Sequence, residues 1–363
     1  MGIKNSKGRI WSKVLIVLLV LALVLCGLGY GVFRYYYGKM NRFDKFFSGS
    51  IETQSEETAS PTLETLSEED IRKQIEDKAD TVMSSSDVFN ILLIGTDGRK
   101  GGNSGRSDAI MLLSINNKEN KISLTSLMRD IYVDIPGYGS NRLNASYAFG
   151  KEELLKQVIE EYFGVDIDRC VQINFYSFIE AVDVVGGVDI DLYQAEIPML
   201  NKYVESLHKE NGADLDLLDE NGTDGTYHLS GVQALAYTRI RYIGNGDFER
   251  TERQRKVLTK IKDSSKDMSL LKLNDLLNKV LPLVTTDLSQ GECFSLLLNA
   301  SSYMNDYGFS TNRVPYGDTG KSARINRKSV LSIDIAANRK FLQKLIYHPS
   351  ELENETKSES STN

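Results

Sequence analysis

The stretch VFNILLIGTD at residues 88–97 decides how this sequence is expected to fold. It is a short, nearly continuous apolar run that ends in Gly95, Thr96 and Asp97. Such a run is typical of a strand buried on both faces of a sheet, because a half-exposed strand would alternate polar and apolar residues. The polar residues that follow it then lie at the carboxyl end of a strand, where open α/β sheets bind ligands.

Strand-like and helix-like segments alternate after this stretch. The strands are expected at residues 109–115, 121–128, 171–175 and 188–192. The helices are expected at residues 151–163, 177–185, from 231 onward, 248–263 and 270–284. This alternation predicts the α/β class, with a single three-layer α-β-α domain built on a central mixed β-sheet. We place that domain at residues 87–348.

An apolar segment precedes the domain. Residues 14–33, VLIVLLVLALVLCGLGYGVF, carry no charge. A helix of this length spans about 30 Å, the thickness of the hydrocarbon core of a bilayer. A cleaved signal peptide would have a shorter apolar run followed by a small-residue cleavage site, which we do not find. The segment therefore predicts one N-terminal transmembrane helix preceded by a tail at 1–13. Basic residues flank both ends of the helix, so they do not decide its orientation.

Polar segments flank the predicted domain on both sides. Residues 46–66 are rich in Ser, Glu and Thr, which predicts a tether over residues 34–86, with a short helix after Ser67. The C-terminal residues 349–363 are polar and are predicted to form a disordered tail.

Bulk composition excludes several classes of function. The formal net charge of −7 argues against nucleic-acid binding through overall electrostatics. Cys26, Cys170 and Cys293 are far apart and form no CxxC pair, so neither a disulfide framework nor a zinc site is expected. Clustered arginines in so acidic a chain would need an explanation of their own.

Arginines and carboxylates recur where the predicted strands and helices begin or end. Asp97 follows the first strand, Arg106 and Asp108 precede the second, and Arg129 follows the third. The other members of this set lie further along the chain: Arg239, Arg241, Asp247, Arg250 and Gln254. An isolated Arg–Asp pair is usually a simple ion pair, so the prediction of a site depends on these residues meeting.

These residue types together suit a pyrophosphate bound with a metal ion. Asp247, Arg250 and Gln254 are spaced at i, i+3 and i+7, so they share one face of a helix. Clustered guanidinium groups repel one another unless an anion joins them, and arginine is suited to bidentate recognition of phosphate. Mg²⁺ prefers one or two carboxylates together with phosphate oxygens, a role that Asp97 and Asp108 would fill.

The order of these motifs resembles the LytR-CpsA-Psr family of cell-wall glycopolymer transferases. The segments that carry the resemblance are NILLIGTD (90–97), RSD (106–108), SLMRDIYVDIPG (126–137), LNASYAFG (143–150), NFYSF (174–178), VDVVGGV (182–188), LSGVQALAYTRIR (229–241) and DFERTERQ (247–254). Met128 departs from the family pattern, which often has proline before the arginine.

The resemblance implies a membrane-anchored phosphotransferase whose catalytic domain lies outside the cell membrane, with the tail at 1–13 in the cytoplasm. It would move teichoic acid or capsular polysaccharide from a polyprenyl-pyrophosphate carrier to a hydroxyl of peptidoglycan, forming a phosphodiester, with Mg²⁺ as cofactor. The residue roles it implies are metal binding by Asp97 and Asp108 and pyrophosphate binding by Arg106, Arg129, Arg239 and Arg241, with Arg250 and Gln254 in support. We assign catalytic roles to Arg106, Arg129, Asp247 and Arg250, with Asp247 as a structural or proton-handling partner. Family helices also enclose a hydrophobic tunnel for the lipid.

Two alternatives remain open at the level of sequence. The same residues would serve a pyrophosphatase of lipid carriers in which water replaces the sugar hydroxyl. A membrane-bound lipid sensor or regulator would bind the lipid without turnover. Direct transcriptional control is disfavoured, because the thirteen residues before the predicted span are too few for a folded DNA-binding module.

Overall fold

The computed structural model describes residues 29–43, 68–96, 107–241, 246–265, 270–325 and 328–360. Asp97, Arg106, the Ser/Glu/Thr-rich stretch and most of the predicted span at 14–33 lie outside these residues. Among the helices in the described ranges, we find none with the length and hydropathy needed to cross a membrane. Residues 29–37, at the end of the predicted span, are helical.

Strands and helices alternate along much of the described chain. The strands are β1 (Val88–Thr96), β2 (Ser107–Asn116), β3 (Lys121–Leu127), β4 (Tyr132–Ile135), β5 (Gly139–Arg142), β6 (Arg169–Asn174), β7 (Val188–Leu192), β8 (Gly225–Leu229), β9 (Thr285–Thr286), β10 (Gly308–Val314), β11 (Gly320–Ile325) and β12 (Lys328–Ile333). The α-helices are α1 (Glu68–Glu76), α2 (Leu143–Phe163), α3 (Phe175–Val185), α4 (Ile197–Asn211), α5 (Gly231–Arg239), α6 (Asp247–Ser265), α7 (Leu270–Val280), α8 (Gln290–Asn305), α9 (Ile335–Tyr347) and α10 (Pro349–Ser360).

The main sheet has the strand order β10-β3-β2-β1-β6-β9. Strand β1 pairs antiparallel with β2 and parallel with β6, and β3 pairs parallel with β10. Because β1 has a neighbour on each side and is covered on both faces, its apolar run is nearly continuous. The predicted α/β class with a central mixed sheet is confirmed.

The two faces of this sheet carry alternate residues of the same strands. Leu92, Ile94, Ile110 and Leu112 point to one face, where they are buried in a core that includes residues of α2 and α9. On the opposite face, Leu93, Met111 and Val171 line a cavity that residues of α3, α4, α5 and α6 also line. Helices therefore lie on both faces of the sheet.

A second core lies within the helices that cover the cavity. Its members include Val182 of α3, Ile190 of the β7–β8 hairpin, Leu200 of α4 and Leu235 of α5. This core fixes α3, α4 and α5 to one another, so the side chains that these helices turn toward the cavity are held in place.

The folded domain begins earlier than the predicted boundary at residue 87. Gln74 of α1 is buried; its Nε2 donates to the backbone oxygen of Tyr132 at 2.7 Å, and its Oε1 accepts from the backbone N–H of Ile333 at 3.1 Å. The backbone of Asn41 pairs with Thr285. The predicted tether at 34–86 is therefore too long. Side chains and backbone at both of its ends pack against the domain, and the average composition of the segment does not reveal these contacts.

The C-terminal residues also differ from expectation. The tail predicted to be disordered from 349 forms α10 over Pro349–Ser360. Leu352 packs against the main core, and Glu353 forms an ion pair with Lys121 at 2.5 Å. One partly buried apolar side chain and ion pairs such as that of Glu353 hold this polar segment against the domain.

Candidate functional site

Asp108 and Arg129 meet because β2 and β3 are antiparallel neighbours. Asp108 lies at the start of β2 and Arg129 follows the end of β3, so strand pairing brings them to the same edge of the sheet. Arg129 Nη1 lies 2.6 Å from Asp108 Oδ1. Burial would raise the pKa of the Asp108 carboxyl, but Arg250, Arg129 and Arg241 outweigh it and hold that pKa below its ordinary value. Asp108 is therefore an ionised carboxylate among guanidinium groups.

The first turn of α6 crosses to the same place. Arg250 is 4% exposed; its Nη2 donates to the backbone oxygen of Asp108, and its Nη1 lies 3.1 Å from Asp247 Oδ1. Burial, together with the nearby charge of Arg129, lowers the pKa of Arg250 to about 10. The guanidinium is charged at neutral pH, but it is crowded by another positive charge, which a bound anion would relieve.

Asp130 and Asp247 form a carboxyl pair beneath these arginines. Burial and the adjacent charge of Asp247 raise the pKa of Asp130. Burial also opposes ionisation of Asp247, but Arg129, Arg250 and Arg241, with a hydrogen bond from Asp130, lower its pKa. A proton bound to the pair therefore resides on Asp130, whose pKa is the raised one, and is donated to Asp247.

Asp130 and its partner Arg142 were not among the predicted site residues. Arg142 Nη1 lies 3.2 Å from Asp130 Oδ1, and Arg129 Nε lies 3.5 Å from Asp130 Oδ2. The only sequence signal was the adjacency of Asp130 to Arg129. That adjacency is too common to indicate a shared proton.

Helix α5 delivers Arg239 to the cavity. Ser230 caps the helix with a reciprocal hydrogen-bond pair to Gln233, at the start that the sequence predicts for this helix. Gly231 allows a close approach to α3: its N–H donates to Asp183 Oδ1 at 2.6 Å, and a Cβ there would lie 2.4 Å from the backbone oxygen of Ile179. This packing fixes the angle at which α5 carries Arg239, its last residue, to the cavity wall.

The guanidinium of Arg239 lies between two aromatic rings. Its Cζ is 5.2 Å from the ring centre of Phe175 and 5.5 Å from that of Tyr203. Its Nη1 is buried and has no hydrogen-bond partner within the described part of the chain. Leaving such a donor unpaired costs about 1–3 kcal/mol, so the arrangement favours a ligand that supplies an acceptor.

One cavity of about 270 Å³ collects most of the predicted residues. Its polar lining includes Asp108, Arg239, Arg241, Arg250 and Gln254. Arg129 and Asp247 join this set through ion pairs, since Arg241 Nε and Arg129 Nη2 lie 3.7 Å and 3.9 Å from Asp247 Oδ1. The predicted residues that the structure describes are therefore brought together. Asp97 and Arg106 lie outside the described residues.

The remaining lining of the cavity is mostly apolar. It includes Leu93, Met111, Val171, Phe178 and Leu258. A cavity with apolar walls and a group of arginines suits a ligand with an anionic head and an apolar body. Helix α3 contributes Phe175 and Phe178 to this lining, whereas the residues that line the cavity include none from α2.

Arg253, on the same helix as Arg250, does not belong to this group. Its Nε lies 2.9 Å from Glu196 Oε1 and its Nη2 lies 3.0 Å from Glu249 Oε2. The first contact fixes α6 against the β7–α4 connection, and the second lies within α6 itself. Arg253 thus forms structural ion pairs. A count of arginines alone would not have separated it from the arginines of the site.

The described residues offer a limited but suitable set of metal ligands. No cluster of three or more His, Cys, Asp or Glu side chains that could bind a metal occurs among them. Asp108 Oδ1 is engaged by Arg129 and lies 3.8 Å from Arg250 Nη2. Asp108 thus offers one carboxylate, and the arginines beside it suit phosphate. Mg²⁺ is usually bound by one or two carboxylates together with phosphate oxygens and water.

Comparison with known proteins agrees with the geometry of the site. A TagU polyisoprenyl-teichoic acid–peptidoglycan teichoic acid transferase from Bacillus cereus is 33% identical over 220 residues, 60% of this chain and 66% of that protein, just under two thirds. The structure of TagT bound to LIIa-WTA has a TM-score of 0.57 and 25% identity over 75% of this chain and 96% of that one. Protein gbs0355 from Streptococcus agalactiae has a TM-score of 0.60 and 25% identity over 72% and 88% of the two chains. The LytR_cpsA_psr family model matches residues 50–345, so the chain belongs to the LytR-CpsA-Psr family.

Proposed function

We propose that this protein transfers a glycopolymer from a polyprenyl-pyrophosphate carrier to a hydroxyl of peptidoglycan. The observation that carries the proposal is the single cavity in which apolar walls meet Arg239, Arg241 and Arg250. The name of the Bacillus cereus relative supports teichoic acid as the glycopolymer class. Capsular polysaccharide is the alternative that the sequence resemblance implies. The structure of TagT bound to LIIa-WTA supports the same kind of ligand.

The arginines would bind the pyrophosphate and stabilise its transfer. The acceptor hydroxyl oxygen attacks the phosphorus next to the glycan, the bond to the lipid phosphate breaks, and polyprenyl monophosphate leaves. The proton that the hydroxyl loses passes to water. Phosphoryl transfer depends chiefly on positioning and on stabilising the charge of the phosphate oxygens. Arg129, Arg239, Arg241 and Arg250 supply that charge, and we propose that Arg106 joins them, with Gln254 as a neutral hydrogen-bonding partner.

We propose that Asp97 and Asp108 hold Mg²⁺ together with phosphate oxygens. When bound, the metal would neutralise charge on the transferred phosphoryl group. The contacts of Asp108 with Arg129 and Arg250 keep its carboxylate ionised and aimed at the cavity. An Asp108→Asn variant is expected to need more Mg²⁺ for half-maximal turnover, which a titration against metal concentration measures.

Asp247 is proposed to position the arginines. A carboxylate with a lowered pKa is a weak base near neutral pH, so it is poorly suited to remove the acceptor's proton. It contacts Arg129, Arg241 and Arg250, which otherwise come from three different elements. Asp130 holds Asp247 in place through the shared proton.

The location of the protein is also a proposal. Peptidoglycan lies outside the cytoplasmic membrane, and residues 14–33 form an uncharged segment long enough to span a bilayer. We propose a single-pass anchor at 14–33 with residues 1–13 in the cytoplasm and the catalytic domain outside. Protease added to intact spheroplasts should remove the domain and leave cytoplasmic markers intact.

A reconstituted assay tests the activity directly. The full chain in detergent is given a polyprenyl-pyrophosphate-linked glycan and Mg²⁺, with and without peptidoglycan. A transferase releases polyprenyl monophosphate and attaches glycan only when peptidoglycan is present. Release that does not depend on peptidoglycan would identify a pyrophosphatase, and binding without release would identify a lipid sensor; either result would overturn the proposal.

A further inference from the structure

Helix α8 has an unusual exposure for a helix of its length. None of its residues, Gln290–Asn305, is buried, although it contains several large apolar side chains. Leu297 is 53% exposed and Leu298 is 66% exposed. Its N-terminal end is attached to the domain, since Glu292 Oε1 lies 2.6 Å from Arg169 Nη2. The helix is thus fixed at one end and presents leucines outward.

The end of the predicted membrane span contacts this helix. Residues 29–37 are helical, and Tyr30 and Phe33 place their ring centres 6.2 Å and 4.9 Å from that of Phe294 in α8. Leu297 and Leu298 follow Phe294 at i+3 and i+4, so they continue the same face of α8. The exposed leucines therefore lie beside residues that belong to the last turns of the span.

The segment after the span is attached to the edge of the main sheet. Asn41 donates its backbone N–H to the oxygen of Val284 at 2.8 Å and accepts from Thr286 at 3.0 Å. Arg42 Nη1 donates to the backbone oxygens of Thr286 and Leu288 at 3.0 Å and 2.6 Å. These bonds hold the chain leaving the span against β9, so α8 and the end of the span form one unit.

We propose that the exposed face of α8, formed by Leu297, Leu298 and Met304, rests on the lipid surface of the membrane next to the span. The proposal rests on the membrane anchor of the proposed function. Phe294 touches Tyr30 and Phe33, which lie within the uncharged segment 14–33, so the same face of α8 lies at the depth of the bilayer boundary.

The chemistry of the surrounding side chains agrees with a lipid surface. Tyr35 is 61% exposed, and tyrosines with one wet and one apolar end belong at the boundary of a bilayer. Arg34 directly follows the span, and its charge suits anionic lipid head groups.

This contact would fix the cavity relative to the lipid. Strand β9 pairs with β6 through Thr286 and Val171, and Val171 lines the cavity. The cavity wall is therefore one strand away from the segment that is held at the membrane. A carrier lipid would reach the arginines while its distal chain stays in the bilayer.

Tryptophan quenching by brominated lipid tests the contact. The full chain has a single tryptophan, Trp11, which is replaced by Phe. Leu297→Trp and Leu298→Trp are then compared with a matched control, Leu215→Trp, in the loop between α4 and β8; Leu215 is 54% exposed, against 53% for Leu297. The proteins are reconstituted in vesicles of brominated phosphatidylcholine and phosphatidylglycerol and checked for equal thermal unfolding.

We expect loss of fluorescence at both α8 positions and little or none at the Leu215→Trp control. Quenching at α8 no greater than at the control would overturn the proposal. A blue-shifted but unquenched α8 probe would also overturn it, because another protein surface would then cover the helix. Failure of the chain to float with vesicles would refute the anchor itself, and the α8 contact with it.

Discussion

The two faces of the central sheet are built from alternate residues of the same strands, yet they do different things. Leu92 points to the closed face, where α2 and α9 leave it fully buried. Leu93, the next residue, is half-buried and lines the open face, where a cavity of about 270 Å³ remains. Close packing on one face supplies stability, and incomplete packing on the other leaves room for a ligand.

The charged residues follow the same division. Arg239, Arg241 and Arg250 line the open face, and Asp108 lies among them at the edge of the sheet. Removing charged groups from water and crowding several of one sign costs free energy, so this edge is held at the expense of stability. We therefore expect substitutions on the open face to affect function first and those on the closed face to affect folding first.

The largest effect is expected from Arg129→Ala at the charged edge. Loss of a guanidinium that stabilises a phosphoryl-transfer transition state should lower turnover by about 10³-fold. The release of polyprenyl monophosphate measures it. Arg339→Ala is the control, because Arg339 bonds Asp77 and the backbone of Tyr162 away from the cavity. That control should lose stability and keep its turnover. Unchanged turnover in Arg129→Ala would contradict the expectation that substitutions on the open face affect function.

The second prediction compares neighbouring leucines on β1. Leu92→Ala should lower the free energy of unfolding by about 2–5 kcal/mol, because it leaves a void in a close-packed core. Leu93→Ala enlarges an existing cavity and should cost about 1 kcal/mol, the transfer free energy of a partly buried side chain. Urea unfolding of the full chain in detergent gives both values. Equal losses would show that the open face is as tightly packed as the closed one.

The third prediction fills the cavity. Val171→Phe places a larger ring against the apolar wall and should weaken binding of a polyprenyl pyrophosphate about tenfold, as displacement of a few methylene contacts does. The Kd is measured by titration of the full chain with the lipid. Val171→Ala removes bulk at the same position and should bind within a few-fold of the native chain. An unaltered affinity in Val171→Phe would place the lipid elsewhere.

The smallest effect concerns the proton shared by Asp130 and Asp247. The pKa of Asp130 is raised by burial and by Asp247, so its contribution to stability is complete below the ordinary pKa of Asp and is lost as pH rises through the raised pKa. Asp130→Asn keeps a hydrogen-bond donor without that titration. Its stability relative to the native chain should therefore increase between pH 4 and pH 8, as urea unfolding at several pH values would show. A constant difference would argue against the shared proton.

The sequence contains enough information to predict four of the six strands of the main sheet, β1, β2, β3 and β6, and most of the site. The apolar run at 88–94 indicates a central strand, and Ser230 marks the start of α5, because both signals are local. Asp108, Arg239 and Arg250 were identified through the order of motifs, which reflects how the strands and helices bring them together. Their convergence in one cavity is what the structure adds.

Features that depend on long-range packing could not be predicted. The raised pKa of Asp130 comes from burial beside Asp247, 117 residues away, and no local pattern reveals it. The same holds for the rings of Phe175 and Tyr203 on either side of Arg239. Helix α10 and the packing of α1 against the domain were missed for a related reason: a few buried contacts, such as those of Gln74, order segments whose composition is polar.

Mass spectrometry of the lipid that co-purifies with the full chain tests most directly whether the arginines and the apolar cavity hold one doubly phosphorylated lipid. The native chain is expected to retain a polyprenyl pyrophosphate, and an Arg239→Ala/Arg241→Ala variant of equal thermal stability is expected to lose it. Absence of such a lipid from the native chain, or equal retention by the variant, would contradict this assignment of the site.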